Sequence, residues 1–341
     1  MGGVGVGMGR DGDGLPRLLA IMGSGETTPT MAKVHRQLFD RLGPSLRSAV
    51  LVDTPYGFQS NAADISARAV AYFRESTGRH VEVASLPRAQ GAGALEVETA
   101  LAKVGEAQWV FSGPGSPTYA LAQWRLTTLP SVLAGKLRSG GCVVLSSAAA
   151  LTLGRWTVPV YEIYKAGADP TWVEGLDLLS LFGWQVAVIT HFDNAEGGTH
   201  DTRYCYLGEG RLRAMERQLP PEGWVLGVDE HTACIFDLDA GTTSVVGLGA
   251  VSVRRHGETA TVPAGQTVGT DELAAVAAGR QATAARGARG TEAEGAGDGR
   301  RRPGPAAGPA RNSHPGAAVR PGHEHSPLEA EVAQLNAAFD D

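Results

Sequence analysis

Cysteine is scarce in this sequence, since its 341 residues include only Cys142, Cys205 and Cys234. An odd number of widely spaced cysteines does not suit a disulfide framework and favours reduced thiols in the cytoplasm. Long apolar runs are missing too, because no stretch reaches the roughly 18 to 20 apolar residues that a membrane span needs. The amino-terminal MGGVGVGMGRDGDGLPR has no apolar segment after a basic start, so it does not resemble a secretory signal. We therefore expect a soluble, cytoplasmic protein that does not bind membranes.

An excess of positive charge is also absent. The 30 Lys and Arg residues against 36 Asp and Glu give a net charge of -6, which offers no general attraction to nucleic acid. A hydrophobic content of 43% is sufficient for a sizeable core. The expected ligand is a small polar molecule.

Strand-like and helix-like runs alternate from Leu18 to about Gly265. The first of them are RLLAIMG, TMAKVHRQLFDRLG, SAVLVDTP and NAADISARAVAYFREST. This alternation predicts a mostly parallel sheet with crossover helices on both faces. The later run WVLGVDEHTACIFDLDAGTTSVVGLGAVSVRR contains short, glycine-punctuated strands, which predict antiparallel hairpins at a sheet edge. The expected fold class is α/β, a flavodoxin-like three-layer sandwich with an antiparallel hairpin edge.

The two ends of the chain differ in composition from this middle part. We expect residues 1–16 to be a disordered leader and residues 17–273 to be one domain. Residues 274–325 are rich in Ala, Gly, Arg and Pro, which predicts a disordered linker. Residues 326–341 begin with a capping box and predict a short amphipathic helix that docks on its own domain, on a second copy or on another partner. Its apolar stripe comprises Leu328, Val332, Leu335 and Phe339.

Candidate catalytic residues follow several of the predicted strands, at the sheet edge where α/β proteins bind ligands. Ser146 and Ser147 end the apolar run CVVLSS, His191 ends another strand, and Glu230 follows the strand WVLGV. A serine hydroxyl is a weak nucleophile unless a base takes its proton and a third group orients that base. Ser147, His191 and Glu230 are our candidates for these three roles, with Ser146 as the alternative nucleophile.

Backbone N–H groups near Ser147 are candidates for binding an oxyanion. A sharp strand-to-helix turn would direct the N–H of Ala148 toward the developing charge, and Gly115 in SGPGSP would supply a second donor. Asp229 and Glu230 are adjacent, so on an extended segment only one of them can face His191.

Four segments together carry a resemblance to a known family. The LSSAAA elbow, the THFD strand end, the GVDEHTA turn and the hairpin VVGLGAVSV resemble the cyanophycinase and α-aspartyl dipeptidase group of serine exopeptidases. That group has the class I glutamine amidotransferase-like fold, and the resemblance spans about residues 17–265. It implies Ser147 as nucleophile, His191 as base and Glu230 as the supporting acid.

The sequence departs from the family pattern at three positions. Leu145 and Ala149 stand where the family usually has glycine. Pro117 stands where a GGNQ-like segment has an amide side chain, which argues against cyanophycin itself as the substrate. The polar stretch HFDNAEGGTHDTRYCYLGEGRL is long and is expected to shape a different specificity pocket. The candidates for substrate binding are Glu26, Asp193, Asn194 and Arg203.

A metal site is a rival interpretation of the same polar stretch. Imidazole and carboxylate groups are common metal ligands, but their spacing here matches no metal motif. We therefore predict no metal and no cofactor. The residues that motivate this rival are His191, Asp193, His200, Asp201 and His231.

Two functions stay open at this point. The first is a serine-type peptidase or amide hydrolase that cleaves a small peptide or isopeptide, with a homodimer as one expected assembly. The second is a non-catalytic amidotransferase-like module that binds a metabolite or a protein in the same cleft, which the departures at the elbow suggest. Geometry separates the two, because a Ser147 hydroxyl turned away from His191, or an unstrained elbow, favours the binding module.

Overall fold

The computed structural model describes residues 14–277. Within this range the strands are β1 (Arg17–Met22), β2 (Ala49–Val52), β3 (Glu82–Ala84), β4 (Trp109–Ser112), β5 (Gly141–Ser146), β6 (Trp156–Thr157), β7 (Val173–Glu174), β8 (Val186–Ile189), β9 (Trp224–Val228), β10 (Thr232–Asp237), β11 (Thr242–Gly247), β12 (Ala250–Arg255), β13 (Glu258–Pro263) and β14 (Thr267–Gly269). The α-helices are α1 (Pro29–Leu42), α2 (Ala62–Tyr72), α3 (Ala94–Glu106), α4 (Pro117–Trp124), α5 (Leu129–Ser139), α6 (Ser147–Leu151), α7 (Val160–Tyr164), α8 (Gly208–Glu216) and α9 (Thr270–Ala277). Short 3-10 or π-helical segments occupy Gly43–Ser45, Thr54–Tyr56, Phe73–Thr77 and Leu178–Phe182.

The strands form two sheets. The first has the order β14-β11-β10-β1-β5-β4-β2-β3. Its strands β1, β5, β4, β2 and β3 are parallel to one another, whereas β10, β11 and β14 each pair with their neighbours in antiparallel fashion. The second has the order β13-β12-β9-β8-β6-β7, in which β6, β8 and β9 are parallel. The predicted α/β class with a largely parallel core and antiparallel hairpins is confirmed, and the division into two sheets is an addition that the sequence did not indicate.

The first sheet is covered by apolar side chains on both faces. Along β1, Leu19 and Ile21 face one core cluster, whereas Leu18, Ala20 and Met22 face the other. Helices α3 and α5 pack into the first cluster, and α1 and α2 pack into the second. A parallel strand buried on both faces has a continuous apolar sequence, which is why RLLAIM lacks the alternation of a half-exposed strand.

The described domain is longer at both ends than the predicted boundaries. Helix α9 continues to Ala277, which is buried and whose carbonyl accepts a hydrogen bond of 2.8 Å from Arg255 Nη1. At the other end, the Pro16 carbonyl accepts from the N–H of Gly141 at 2.9 Å. The linker boundary predicted after residue 273 is therefore too early. The rest of the predicted linker and the predicted helix at 326–341 lie outside the described residues.

No helix within residues 14–277 is long and apolar enough to span a bilayer.

Candidate active site

Ser147 occupies a strained turn between a buried strand and a helix. Strand β5 lies between β1 and β4, ends at Ser146, and is followed directly by α6. Ser147 has a φ of 47°, in the left-handed region that residues with a Cβ seldom adopt. This strand-to-helix turn with a strained serine is the arrangement of a nucleophile elbow.

His191 and Glu230 lie at the corresponding ends of two neighbouring strands in the second sheet. Strands β8 and β9 are parallel, with Ile189 opposite Gly227. His191 and Glu230 each come two residues after the end of their strand. Since parallel strands end at the same sheet edge, the two side chains are brought together there. Helix α6 packs against β8, which places Ser147 beside them.

The three side chains form a continuous hydrogen-bonded chain. The Oγ of Ser147 lies 3.0 Å from Nε2 of His191, and Nδ1 of His191 lies 2.8 Å from Oε1 of Glu230. An ionised carboxylate can only accept, so Nδ1 of a neutral His191 carries the proton and Nε2 is left to accept from the hydroxyl. This is the geometry that proton abstraction from the hydroxyl requires.

Glu230 is held by two residues of the loop that follows His191. Asn194 Nδ2 donates to Oε1 of Glu230 at 3.0 Å, and Asp193 Oδ1 accepts from the backbone N–H of Glu230 at 2.8 Å. Burial raises the pKa of the Glu230 carboxyl, but the hydrogen bond and charge of His191, with the Asn194 hydrogen bond, outweigh it and hold the pKa at about 2. Glu230 is therefore ionised at neutral pH.

The two candidate oxyanion donors lie on segments that are joined to each other. Gly115 has a φ of 133°, and a Cβ there would lie 2.1 Å from the carbonyl oxygen of Pro55. The carbonyl of Gly113 accepts from the N–H of Ala149 at 3.1 Å, which fixes the glycine loop against the elbow. The N–H of Ala148 lies in the first turn of α6, where N–H groups have no acceptor within the helix.

The four predicted substrate-binding residues differ in burial and in their hydrogen-bond partners. The side chains of Glu26 and Asn194 are fully buried, and Oε2 of Glu26 accepts from the hydroxyl of Ser146 at 2.9 Å. In this conformation Glu26 supports the strand below the elbow and Asn194 supports Glu230, and their contact with substrate stays a prediction. Asp193 likewise holds the Glu230 backbone. Arg203 is half-exposed and pairs with Asp201 through two bonds of 2.8 Å.

Two of the side chains that suggested a metal site, His200 and Asp201, have partners away from the triad. Asp201 pairs with Arg203, and His200 Nε2 lies 3.4 Å from the hydroxyl of Tyr164. Over residues 14–277, no group of three or more His, Cys, Asp or Glu side chains is arranged to hold a metal ion. The three cysteines of this range are buried and free of disulfides.

Tyr206 borders the site and was not singled out by the sequence. Its ring centroid lies 6.3 Å from that of His191 and 5.1 Å from that of Tyr164, and its hydroxyl donates to Glu196 at 2.8 Å. The one available signal was the aromatic pair in RYCY inside an otherwise polar loop.

Comparison with known proteins extends the fold assignment. No protein-family model and no curated protein sequence matches the chain. Among solved structures, the chain is similar to a peptidase from an acI-B1 Actinobacterium, with 20% identity and a TM-score of 0.59 over 75% of this chain and 97% of that one. A second similar structure, named "Putative Peptidase E Protein", is from Listeria monocytogenes EGD-e, with 12% identity and a TM-score of 0.42 over 70% and 98% of the two chains. The first similarity shows a shared fold, and the second is too distant to add to it.

Proposed function

We propose that the protein is a serine-type peptidase or amide hydrolase that acts on a small peptide or isopeptide. The observation that carries this proposal is the 3.0 Å contact between Ser147 Oγ and His191 Nε2 at an elbow where Ser147 has a φ of 47°. The name of the first similar structure, a peptidase, agrees with it.

The proposed reaction begins with attack of Ser147 Oγ on the substrate carbonyl carbon, while the hydroxyl proton moves to His191 Nε2. The carbonyl oxygen becomes an oxyanion and accepts from the N–H groups of Gly115 and Ala148. Glu230 stabilises the imidazolium that has formed. His191 then gives its proton to the leaving amine nitrogen as the C–N bond breaks. Water, activated by the same imidazole, hydrolyses the resulting ester and restores Ser147.

Within this class we propose the cyanophycinase and α-aspartyl dipeptidase group, on the motifs around Ser147, His191 and Glu230. The Pro117 position argues for a substrate other than cyanophycin. We propose a cytoplasmic location on the sequence grounds given above.

The alternative function, a non-catalytic binding module, receives less support from the geometry. It would be favoured by a serine turned away from the imidazole or by an unstrained elbow. The contact between Ser147 and His191 and the φ of Ser147 both favour the hydrolase.

A fluorophosphonate probe, which forms a covalent bond to activated serines, tests the proposal. Wild-type protein should be labelled, and Ser147→Ala should not. Ser146→Ala is the matched control, because the Ser146 hydroxyl is fully buried and donates to Glu26, so this variant should still be labelled. A panel of dipeptides and isopeptides would then identify the scissile bond. A folded wild-type protein that neither reacts with the probe nor cleaves any amide in the panel would contradict the proposal.

A further inference from the structure

A buried arginine connects strand β12 to helix α8, the helix that ends the loop after His191. Arg254, on β12, is only 2% exposed. Its guanidinium donates to Glu209 at 2.8 and 3.1 Å and to Glu216 at 3.0 and 3.1 Å, and both carboxylates belong to α8. A guanidinium can hold two carboxylates at once because its donors form a rigid, planar fork, whereas a lysine ammonium is a single point charge. Arg254 therefore fixes α8 against β12.

The same guanidinium also contacts Tyr204, in the segment just before α8. It lies over the Tyr204 ring at 5.1 Å from the centroid, and Nη1 donates to the hydroxyl at 3.4 Å. Tyr204, Cys205 and Tyr206 have φ values of 62°, 56° and 63°. Three consecutive non-glycine residues in the left-handed region are strained, and such strain persists only where the surrounding structure enforces it. Arg254 is part of that surrounding structure.

The strained turn at 204–206 holds the backbone of the proposed catalytic base. The N–H of Cys205 donates to the carbonyl of His191 at 3.1 Å, and the N–H of Tyr204 donates to the carbonyl of Phe192 at 3.1 Å. The rings of Phe192 and Tyr204 also pack edge to face, with centroids 4.6 Å apart. His191 itself has a φ of 47°. The direction of its imidazole therefore depends on contacts with this turn.

We propose that Arg254 is a positioning residue for His191, which it keeps aligned between Ser147 and Glu230 by fixing Tyr204 and α8. This inference rests on the proposed hydrolase function. Arg254 bonds to the turn and to α8 and acts on the triad only through them. Its loss should misalign proton transfer while leaving the candidate oxyanion donors Gly115 and Ala148, which lie on other segments, in place. The effect should therefore appear in kcat rather than in KM.

Two variants of Arg254 test the proposal, with its neighbour as a control. Arg254→Lys keeps the charge and loses the fork. Arg254→Met combined with Glu216→Gln also removes the carboxylate that would otherwise be left buried without its partner, which protects folding. Arg255→Met is the matched control, because the next residue on a strand points to the opposite face, and Arg255 donates to the carbonyl of Ala277.

Three measurements are made on each folded variant: kcat and KM with a peptide that the wild type cleaves, the rate of fluorophosphonate labelling, and the downfield proton NMR signal of His191 Nδ1–H. We expect kcat and the labelling rate to fall about 10- to 100-fold in the double variant, with KM nearly unchanged. The Nδ1–H signal should broaden or disappear in that variant. Arg254→Lys should lie between it and the wild type, and Arg255→Met should match the wild type.

The outcomes separate this inference from the proposed function. Folded Arg254 variants with wild-type kcat, labelling rate and Nδ1–H signal would overturn the positioning role and leave the hydrolase intact. A wild-type protein without hydrolysis or labelling would contradict the hydrolase. In that case the Nδ1–H signal would still decide whether Arg254 positions His191.

Discussion

Exchanging Glu230 for glutamine separates the charge of this residue from its hydrogen bonds. One oxygen, Oε1, accepts from both His191 Nδ1 at 2.8 Å and Asn194 Nδ2 at 3.0 Å. A glutamine with its amide oxygen at that point can accept both bonds, and the Asn194 donor disfavours the flipped orientation. His191 then keeps Nε2 available to Ser147. What Glu230→Gln loses is the negative charge.

The size of the effect follows from the distance between the two groups. The charge centres of the carboxylate and an imidazolium in this contact lie about 4 Å apart, which at an effective dielectric constant of about 20 corresponds to roughly 4 kcal/mol. The imidazolium is present in the transition state and not in the resting site, so the charge acts on the barrier. We expect kcat/KM to fall about 1,000-fold. A loss nearer 10,000-fold would indicate that the amide turns its NH2 toward His191 and imposes the wrong tautomer.

The assay is steady-state hydrolysis of a peptide that the wild type cleaves. Asp229→Asn is the matched control, since it makes the same change on the adjacent residue. The Oδ2 of Asp229 accepts from the N–H of Ala250 at 2.8 Å, so this side chain stabilises the turn and does not contact His191 in that bond. This control should retain near wild-type kcat/KM. Since the pKa of Glu230 is about 2, its carboxylate stays ionised in the wild type from neutral pH down to about pH 5, so the comparison can be made anywhere in that range where the wild type is active. A Glu230→Gln variant as active as the control would refute the role of the charge.

Three further predictions concern stability and backbone geometry. Burial lowers the pKa of His35 to about 4, against a smaller opposing effect of its hydrogen bond to the Glu26 carbonyl. An unfolded histidine titrates near 6.5, so the stability that the protein gains from a neutral, buried His35 is fully present above pH 6.5 and is lost as the pH falls toward 4. Urea unfolding of the wild type should show a loss of about 3 kcal/mol in the free energy of unfolding over this pH range, and His35→Gln should lack that loss. Gly115→Ala places a Cβ 2.1 Å from the Pro55 carbonyl oxygen, so it should lower the melting temperature and abolish probe labelling, whereas Gly135→Ala, which meets no atom within 4 Å, should do neither. Ala149→Gly restores the residue usual in the resembled family; it should keep the labelling rate but cost about 1 kcal/mol for the helical glycine and about 0.8 kcal/mol for the buried methyl, measured by urea unfolding.

Much of the fold could be predicted because its strongest signals are local. Strand β1 is continuously apolar since both of its faces are buried, and α1 shows a helical period because one face is buried. The division into two sheets leaves no such signal. Strands β6 and β7, at the edge of the second sheet, are each only two residues long, too short for a periodic pattern. Which sheet a later hairpin joins is decided by pairing with distant strands.

The candidate site was predictable only for residues that act at strand ends. Ser147, His191 and Glu230 follow buried strands, and strand ends can be recognised from the sequence. Asp193 and Asn194 lie in a polar loop, where the sequence does not indicate whether a side chain points outward to a ligand or inward to another residue. Their partner lies more than 35 residues away along the chain. For this reason the sequence did not indicate that Asn194 donates to Glu230.

The distance between nucleophile and base is set by packing of the elbow helix α6 against the second sheet. Ser147 belongs to an elbow at the end of the first sheet, and His191 to a turn at the end of the second. Leu151 of α6, Ile189 of β8 and Phe192 after the base all belong to one buried apolar cluster. Because a close-packed cluster resists displacement of any member, the elbow helix and the histidine turn cannot move apart independently. The strained φ values of Ser147 and His191, both 47°, are then maintained by the same burial that holds helix α6 against strand β8.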